Sequence, residues 1–112
     1  MLYERWLLEL WQGSYDVAGE ILTEDFVGHW PDREVVGRDA LVELIRETRA
    51  MFSTLDFTLA VGPLVDGELV AARWTGVGVL EGGKEVPLLG HDILRVADGR
   101  FAEYWVASWA GM

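Results

Sequence analysis

The chain has 112 residues, 51% of them hydrophobic, so it is long and apolar enough for one folded domain and is not a disordered chain. Its net charge of −10 argues against nucleic acid or an anionic membrane surface as a partner. Without cysteine it has no disulfides or thiolate sites. The N-terminal segment lacks the features of a secretory signal, and no apolar run reaches the ~18 residues of a membrane span, so we expect a cytoplasmic protein.

The N-terminal half predicts three amphipathic helices, because apolar residues recur there at spacings of three and four. The first helix ends at Gly13, a residue typical of helix C-termini, and Ser14 can cap a short second helix. An extended piece over 25–30 is closed by Pro31. The third helix begins near Asp39, and its apolar face is formed by Leu41, Leu44, Ile45, Thr48 and Phe52.

After Phe52 the hydrophobic period changes to two, which indicates strands. Three turn signals divide this half into four strands. The turns are Asp66-Gly67, Gly82-Gly83 and Asp98-Gly99, and the strands span 56–65, 68–80, 85–96 and 100–109. Short turns predict an antiparallel meander, and the length of the runs predicts a strong bend. The predicted fold class is therefore α+β, with three helices on the concave face of a bent antiparallel sheet in a single domain over 1–112.

The last hairpin predicts which side chains face the hollow under the helices. With a three-residue loop in which Gly99 is left-handed, Arg95 lies opposite Glu103 as a favourable charge pair, and Asp92 lies opposite Val106. A two-residue loop would place Arg95 opposite Ala102, so the longer loop is preferred. The inner face then carries Asp92, Leu94, Ala102, Tyr104, Val106 and Ser108. The outer face carries His91, Ile93, Arg95, Phe101, Glu103, Trp105 and Trp109.

Asp92 is the principal candidate for an ionisable group in the hollow. Among apolar groups its pKa would be raised by desolvation, towards a range useful for proton transfer, and Asp92→Asn should then leave the chain folded. Tyr104 on the same face can donate a hydrogen bond to a carbonyl or an enolate. Structural roles are the alternatives: a hydrogen-bonded carboxylate for Asp92 and a core ring for Tyr104. If the register is off by one residue, His91 replaces Asp92 in the hollow.

The C-terminal run GHDILRVADGRFAEYW resembles the SnoaL-like branch of the nuclear transport factor 2-like superfamily. The segments GHWPD and VGRDALVELIRE are also similar to that family. The resemblance implies a conical α+β barrel with a pocket at its wide end, often paired into homodimers through the outer sheet face. It also implies acid–base chemistry without a metal or an organic cofactor. Polyketide cyclisation, ketosteroid isomerisation, epoxide hydrolysis and dehydration are among the activities of such proteins.

The resemblance adds candidates to the site. It implies a polar pocket residue at His29, a possible base or proton shuttle, with Trp30 beside it. It also implies an acid directly after the motif tryptophan, but Val106 occupies that position, and Asp92 across the ladder would have to replace the acid. The predicted catalytic residues are Asp92, His29 and Tyr104. The predicted substrate-binding residues are Trp30, Trp74, Val106, Ser108 and His91; Trp74 is alternatively a core residue.

Three functions fit these residues. The first is an enzyme, cyclase- or isomerase-like, acting by acid–base chemistry on a small hydrophobic carbonyl compound, without cofactor or metal, since no tight ligand spacing such as H-x-x-x-H is present. The second is a non-catalytic binding or assembly module, favoured by Val106 in place of the acid. The third is an epoxide hydrolase, which would need two acids flanking an inward-turned Arg73 or Arg95.

The strands also predict association. Both faces of the later strands carry large apolar groups, whereas three helices can cover only one face. We therefore expect a symmetric homodimer through the outer face of the sheet. The candidate contact residues are Ile93, Phe101, Trp105 and Trp109.

Overall fold

Three helices precede most of the sheet in a computed structural model that describes residues 1–111. Helix α1 spans Leu2–Arg5 and continues as a π-helical turn over Trp6–Leu10. A 3₁₀ turn over Tyr15–Val17 leads into the short helix α2, Ala18–Ile21, and helix α3 spans Arg38–Ala50. The three predicted helices are confirmed. Within residues 1–111, no helix is both long and apolar enough to cross a membrane.

Within the described residues, six strands form one mixed sheet in the order β2-β1-β6-β5-β4-β3. The strands are β1 Leu22–Trp30, β2 Arg33–Val36, β3 Thr54–Asp66, β4 Leu69–Val79, β5 Glu85–Ala97 and β6 Arg100–Ala110. The predicted four-stranded antiparallel meander is confirmed as β3 to β6. Over residues 1–111 the sheet is open, with β2 and β3 at its edges, and does not close into a barrel.

Strand β1 is the main addition to the predicted sheet. It pairs antiparallel with β2 and parallel with β6, from the other end of the chain. The sequence predicted only an extended piece there and a purely antiparallel sheet. A parallel neighbour far away in the chain leaves no turn signal, so hairpin patterns do not reveal it.

The loop of the last hairpin is shorter than predicted. Ala97 pairs with Arg100, so only Asp98 and Gly99 form the turn. Both have positive φ, 54° and 75°, which is typical of a two-residue type I′ turn. The prediction of a three-residue loop is wrong, because Asp98 tolerates the left-handed conformation that was assigned to Gly99 alone.

A β-bulge restores the predicted register nonetheless. Val96 pairs with Phe101, whereas Arg95 pairs with Glu103, so Ala102 is an extra residue in β6. From that point onward the ladder runs as predicted and places Asp92 opposite Val106.

The bulge also corrects one face assignment. Phe101 and Ala102 are adjacent in the chain, yet both are buried. Phe101 contacts the Trp6 ring at a centroid distance of 5.9 Å. The expectation that Phe101 lies on the outer face is therefore wrong, because the extra residue changes the alternation at this end of β6.

The core lies between the helices and the inner face of the sheet. Trp6 is fully buried at its centre and packs against four aromatic rings at centroid distances of 4.8 to 6.0 Å. These rings belong to Trp11, Phe26, Phe101 and Tyr104. Aromatic contacts thus join α1 to the strands that carry the site described next.

Candidate active site

A cavity of about 450 Å³ lies between the helices and the inner face of the sheet. That volume is within the range of small-molecule sites. Apolar side chains dominate the wall, and the non-indole polar side chains in it are Thr48, Asp92, Tyr104 and Ser108. Asp92 is 1% exposed, whereas Met51 and Trp109 are largely exposed, so the carboxyl group lies at the closed end and those two residues at the opening.

Four uncharged donors surround the Asp92 carboxylate. Tyr3 Oη and Trp6 Nε1, from α1 and its π-helical turn, donate to Oδ2 over 2.9 and 3.3 Å. Trp74 Nε1 from β4 and Tyr104 Oη from β6 donate to Oδ1 over 3.0 and 2.7 Å. Each oxygen therefore accepts one indole N–H and one phenol O–H, and the acceptor capacity of the carboxylate is filled.

Burial and hydrogen bonding act on Asp92 in opposite directions. Burial raises the pKa of the carboxyl group, because the charged form loses its hydration, and the four donors oppose this by stabilising the anion. Burial is the larger of the two effects, so the pKa of Asp92 is raised. Burial and the nearby Asp92 carboxylate also raise the pKa of Tyr104 and of Tyr3, so both phenols keep their protons. Asp92 is consequently the group in this cluster that can change its charge.

Only one of the four donors can connect Asp92 to a bound molecule by proton transfer. Trp74 and Tyr104 line the cavity, whereas Tyr3 and Trp6 do not. An indole N–H has no lone pair, but a phenol oxygen can donate one hydrogen bond and accept another. Tyr104 is therefore the route by which a proton can pass between the cavity and Asp92 without breaking the cluster.

Sequence reasoning did not find Tyr3 and Trp6 as partners of Asp92. Their spacing of three places both on the apolar face of the first predicted helix, which indicates burial but not a hydrogen-bond partner. A signal was available: each carries a polar hydrogen that needs an acceptor when buried. Asp92 was the acid already predicted to face inward, so it was the natural acceptor for both.

Four other predicted residues also line the cavity: Trp30, Trp74, Val106 and Ser108. Trp30 packs edge-on against Tyr104 at a centroid distance of 5.3 Å. Trp109, predicted for the outer face, contributes to the cavity wall as well. The structure places these side chains at the site; their role in substrate binding stays a prediction.

The predicted catalytic role of His29 is not supported, because His29 lies on the other side of the sheet. Its Nδ1 and Nε2 are 2.8 and 2.7 Å from carboxylate oxygens of Glu34 and Glu103, and its ring stacks on Trp105. Arg95 donates to the second oxygen of Glu103 over 3.0 Å. Side chains alternate along β1, so a residue next to the inward-facing Trp30 must face outward.

His91 is also on the outer face. Its Nε2 is 3.0 Å from Nη1 of Arg73, and it is not part of the cavity wall. The alternative in which His91 replaces Asp92 is therefore wrong, because Asp92 faces the cavity and its neighbour in β5 must face the other side of the sheet.

The arrangement required for epoxide hydrolysis is not formed by the described residues. Arg95 is paired with Glu103 on the outer face, and Arg73 contacts His91 there. Within residues 1–111, the cavity wall contains one acid and no arginine. In the same part of the chain, no group of three or more His, Asp or Glu side chains is placed to hold a metal ion.

Solved structures with a similar fold include candidate polyketide cyclases. One from Jannaschia sp. CCS1 superposes with a TM-score of 0.85 at 20% identity, over 96% of this chain and 82% of that one. IdmH, a candidate polyketide cyclase from Streptomyces antibioticus, gives a TM-score of 0.81 at 22% identity, over 96% and 88%. A nuclear transport factor 2-like protein of unknown function from Exiguobacterium sp. 255-15 gives 0.80 at 19%, over 97% and 98%.

Identities of this size establish the shared fold and leave the activity open. No curated protein matches the sequence significantly. The sequence model of the SnoaL-like domain family matches residues 3–104, which span both the helices and the strands around the cavity. The chain therefore belongs to the SnoaL-like domain family.

Proposed function

We propose that the protein is an enzyme that carries out cofactor-free acid–base chemistry on a small hydrophobic carbonyl compound, as a polyketide cyclase or an isomerase does. The observation that carries this proposal is a titratable carboxyl group at the closed end of an apolar cavity, hydrogen-bonded to a phenol that lines the same cavity. Burial raises the pKa of this carboxyl group, which moves it towards the range in which one group can both take up and release a proton.

Ionised Asp92 acts as the base through Tyr104. A hydrogen next to the substrate carbonyl moves to Tyr104 Oη while the phenol hydrogen moves to Asp92 Oδ1, and the electrons of the broken C–H bond form an enolate. Protonated Asp92 acts in reverse, returning its proton to Tyr104 as the phenol hydrogen passes to the substrate oxygen or carbon. Because ionised Asp92 holds the phenol hydrogen, Tyr104 can donate to a carbonyl only when Asp92 is protonated.

The apolar wall supports this chemistry in two ways. It holds the hydrophobic body of the substrate and excludes water, so that the few polar groups act at low dielectric. It also keeps an enolate close to a second carbonyl of the same molecule, which is the geometry that ring closure requires.

The direct test is exchange of the hydrogens next to the carbonyl in D₂O, followed by proton NMR on a panel of one- and two-ring ketones. Wild type should accelerate exchange for ketones that it binds. Asp92→Asn and Tyr104→Phe should lower the rate about 10²–10⁴-fold. Glu103→Gln, on the other face of the sheet, is the matched control and should retain the rate. Unchanged exchange in Asp92→Asn, or no exchange of any bound ketone by wild type, would contradict the proposal.

A non-catalytic binding module is the second candidate, and Val106 favours it, because that position would hold an acid in cyclases of this kind. The exchange experiment separates the two functions. Tight binding of hydrophobic ketones without exchange would support the binding module.

We also propose a homodimer through the outer face of the sheet. Ile93 and Trp105 on that face are 44% and 36% exposed, although both are large and apolar. Exposed apolar area of this kind is typical of interfaces. Light scattering at micromolar concentration should give twice the 12.6 kDa of one chain, and a mass near 12.6 kDa would count against the dimer.

A further inference from the structure

Trp74 occupies space that any side chain at residue 90 would need. Gly90 in β5 lies directly opposite Trp74 in β4. A Cβ atom built on Gly90 would be 2.3 Å from Cζ2 and 2.9 Å from Nε1 of the indole. Gly90 does not have the positive φ that favours glycine. Glycine is therefore needed at residue 90 because the indole leaves no space for a Cβ atom, and not because of the backbone conformation.

The same placement brings the indole to the acid. Asp92 is two residues beyond Gly90 in β5, so it is the diagonal neighbour of Trp74 across the ladder. From its place over Gly90, Trp74 Nε1 donates to Asp92 Oδ1 over 3.0 Å. Phe57 packs edge-on against the indole at a centroid distance of 5.3 Å. Moving the ring to an ordinary carbon–carbon contact would require a shift of more than about 1 Å, enough to break this hydrogen bond.

We infer that Gly90 is a positioning residue: its missing side chain seats the Trp74 indole against Asp92, and this contact controls how strongly Asp92 holds its proton. The indole stabilises the anion, so losing the contact makes Asp92 a weaker acid. For its relevance to catalysis the inference rests on the proposed function, but the acidity of Asp92 can be measured without a substrate.

Gly28 provides a matched control within the same sheet. A Cβ atom on Gly28 would be 2.5 Å from Cζ3 of Trp30, so Gly28→Ala also displaces a tryptophan of the cavity wall. Asp92 accepts from four donors, and Trp30 is not one of them. The two glycine substitutions therefore differ in whether the displaced indole is bound to the acid.

The experiment is an NMR titration of the ¹³C-labelled Asp92 carboxyl group, with the ¹⁵N indole signals recorded in parallel. Gly90→Ala should move the Trp74 indole signal and make Asp92 about tenfold weaker as an acid, the effect of one hydrogen bond to a charged group. Trp74→Phe should weaken the acid to the same extent. The double variant should match Trp74→Phe alone, because both changes remove the same contact.

Gly28→Ala should leave the Asp92 titration at its wild-type position. An unchanged titration in Gly90→Ala, or additive effects in the double variant, would overturn the inference. If Gly90→Ala does not fold, the smaller ring in Gly90→Ala/Trp74→Phe should restore folding; failure of both variants to fold would also overturn it. A shifted titration combined with no ketone exchange by wild type would support the positioning role and contradict the proposed enzyme function.

Discussion

Asp92 and Glu103 lie on the two strands of one hairpin, on opposite faces of the sheet, and are stabilised in opposite ways. Asp92 is buried and bound by four uncharged donors. Glu103 is partly exposed and bound by His29 and Arg95. Burial raises the pKa of Asp92, whereas hydrogen bonds from His29 and Arg95 lower the pKa of Glu103.

The difference follows from access to water. A cation placed beside Asp92 would itself have to lose its hydration, at a cost of several kcal/mol, whereas indoles and phenols supply hydrogen bonds without a second buried charge. On the outer face the charged groups stay partly hydrated, so little hydration is lost when His29 and Arg95 pair with Glu103 and stabilise its ionised form. Both carboxylates are satisfied, but the fold disfavours the ionised form of Asp92 and favours the ionised form of Glu103.

The largest expected effect is that of Asp92→Asn on stability. Each carboxylate oxygen accepts one indole, so an asparagine NH₂ group must face the N–H of either Trp6 or Trp74. A protonated carboxyl avoids this conflict, because its single hydrogen can point to a phenol oxygen. We expect a loss of about 1–3 kcal/mol in the free energy of unfolding, measured by urea denaturation at acidic pH.

That result would reverse the expectation from sequence that Asn is tolerated at this position. Glu103→Gln is the matched control, and its cost should stay below about 1 kcal/mol. Equal costs for the two substitutions would show that the inner and outer carboxylates are not stabilised differently.

The second effect is on the pH dependence of stability. The folded-state pKa of Asp92 is raised above its ordinary value of 3.8. Protonated Asp92 therefore contributes fully to the free energy of unfolding below pH 3.8, and this contribution is lost as pH rises through the folded-state pKa. The stability gap between wild type and Asp92→Asn should therefore narrow as pH rises. Urea denaturation at several pH values measures the gap, and a gap that widens would contradict the burial of a neutral acid.

A smaller effect is expected at His29. Hydrogen bonds from the His29 ring to Glu103 and Glu34 raise its pKa above 6.5. Protonated His29 therefore contributes fully to the free energy of unfolding below pH 6.5, and this contribution is lost as pH rises through the folded-state pKa. Because the ring is partly exposed, we expect less than about 1 kcal/mol. His29→Gln should flatten the stability curve above pH 6.5 and leave the Asp92 effect, which begins at lower pH, in place.

The smallest effect is that of salt. The ion pairs of Glu103 are partly exposed, so 1 M NaCl should screen them and lower the cost of Glu103→Gln by a few tenths of a kcal/mol. The cost of Asp92→Asn should not change, because its partners are uncharged and buried. Denaturation at low and high salt measures both, and equal sensitivity would contradict the difference between the two faces.

Local patterns predicted most of the fold. Helical spacing up to Phe52 and the paired turn residues after it predicted the helices and the four-stranded meander, because both signals act between near neighbours in the chain. The pairing of β1 with β6 joins opposite ends of the chain and leaves no local signal. The faces of β1 were therefore unknown, and His29 was assigned to the wrong side of the sheet.

Part of the site was predicted from the sequence. One part of that prediction is correct because two differences in the last hairpin offset each other. The favourable pair of Arg95 with Glu103 placed Asp92 inward, although the loop is one residue shorter than expected and the bulge at Ala102 supplies the missing residue. The polar hydrogens of Tyr3 and Trp6 indicated an inward-facing acceptor such as Asp92, but the contact itself depends on how α1 docks onto the sheet, which is a tertiary property. The two roles predicted for Trp74, substrate binding and core packing, could not be distinguished for the same reason.

The bulge makes Ala102 the one residue of the paired part of β6 that the ladder does not use. If Ala102 were deleted, Phe101 would stay opposite Val96, and Glu103 would follow it opposite Arg95, as it does now. Asp92 would keep Val106 as its partner, and Tyr104 would remain on the inner face. A single-codon deletion at Ala102 should therefore straighten the strand and preserve the site.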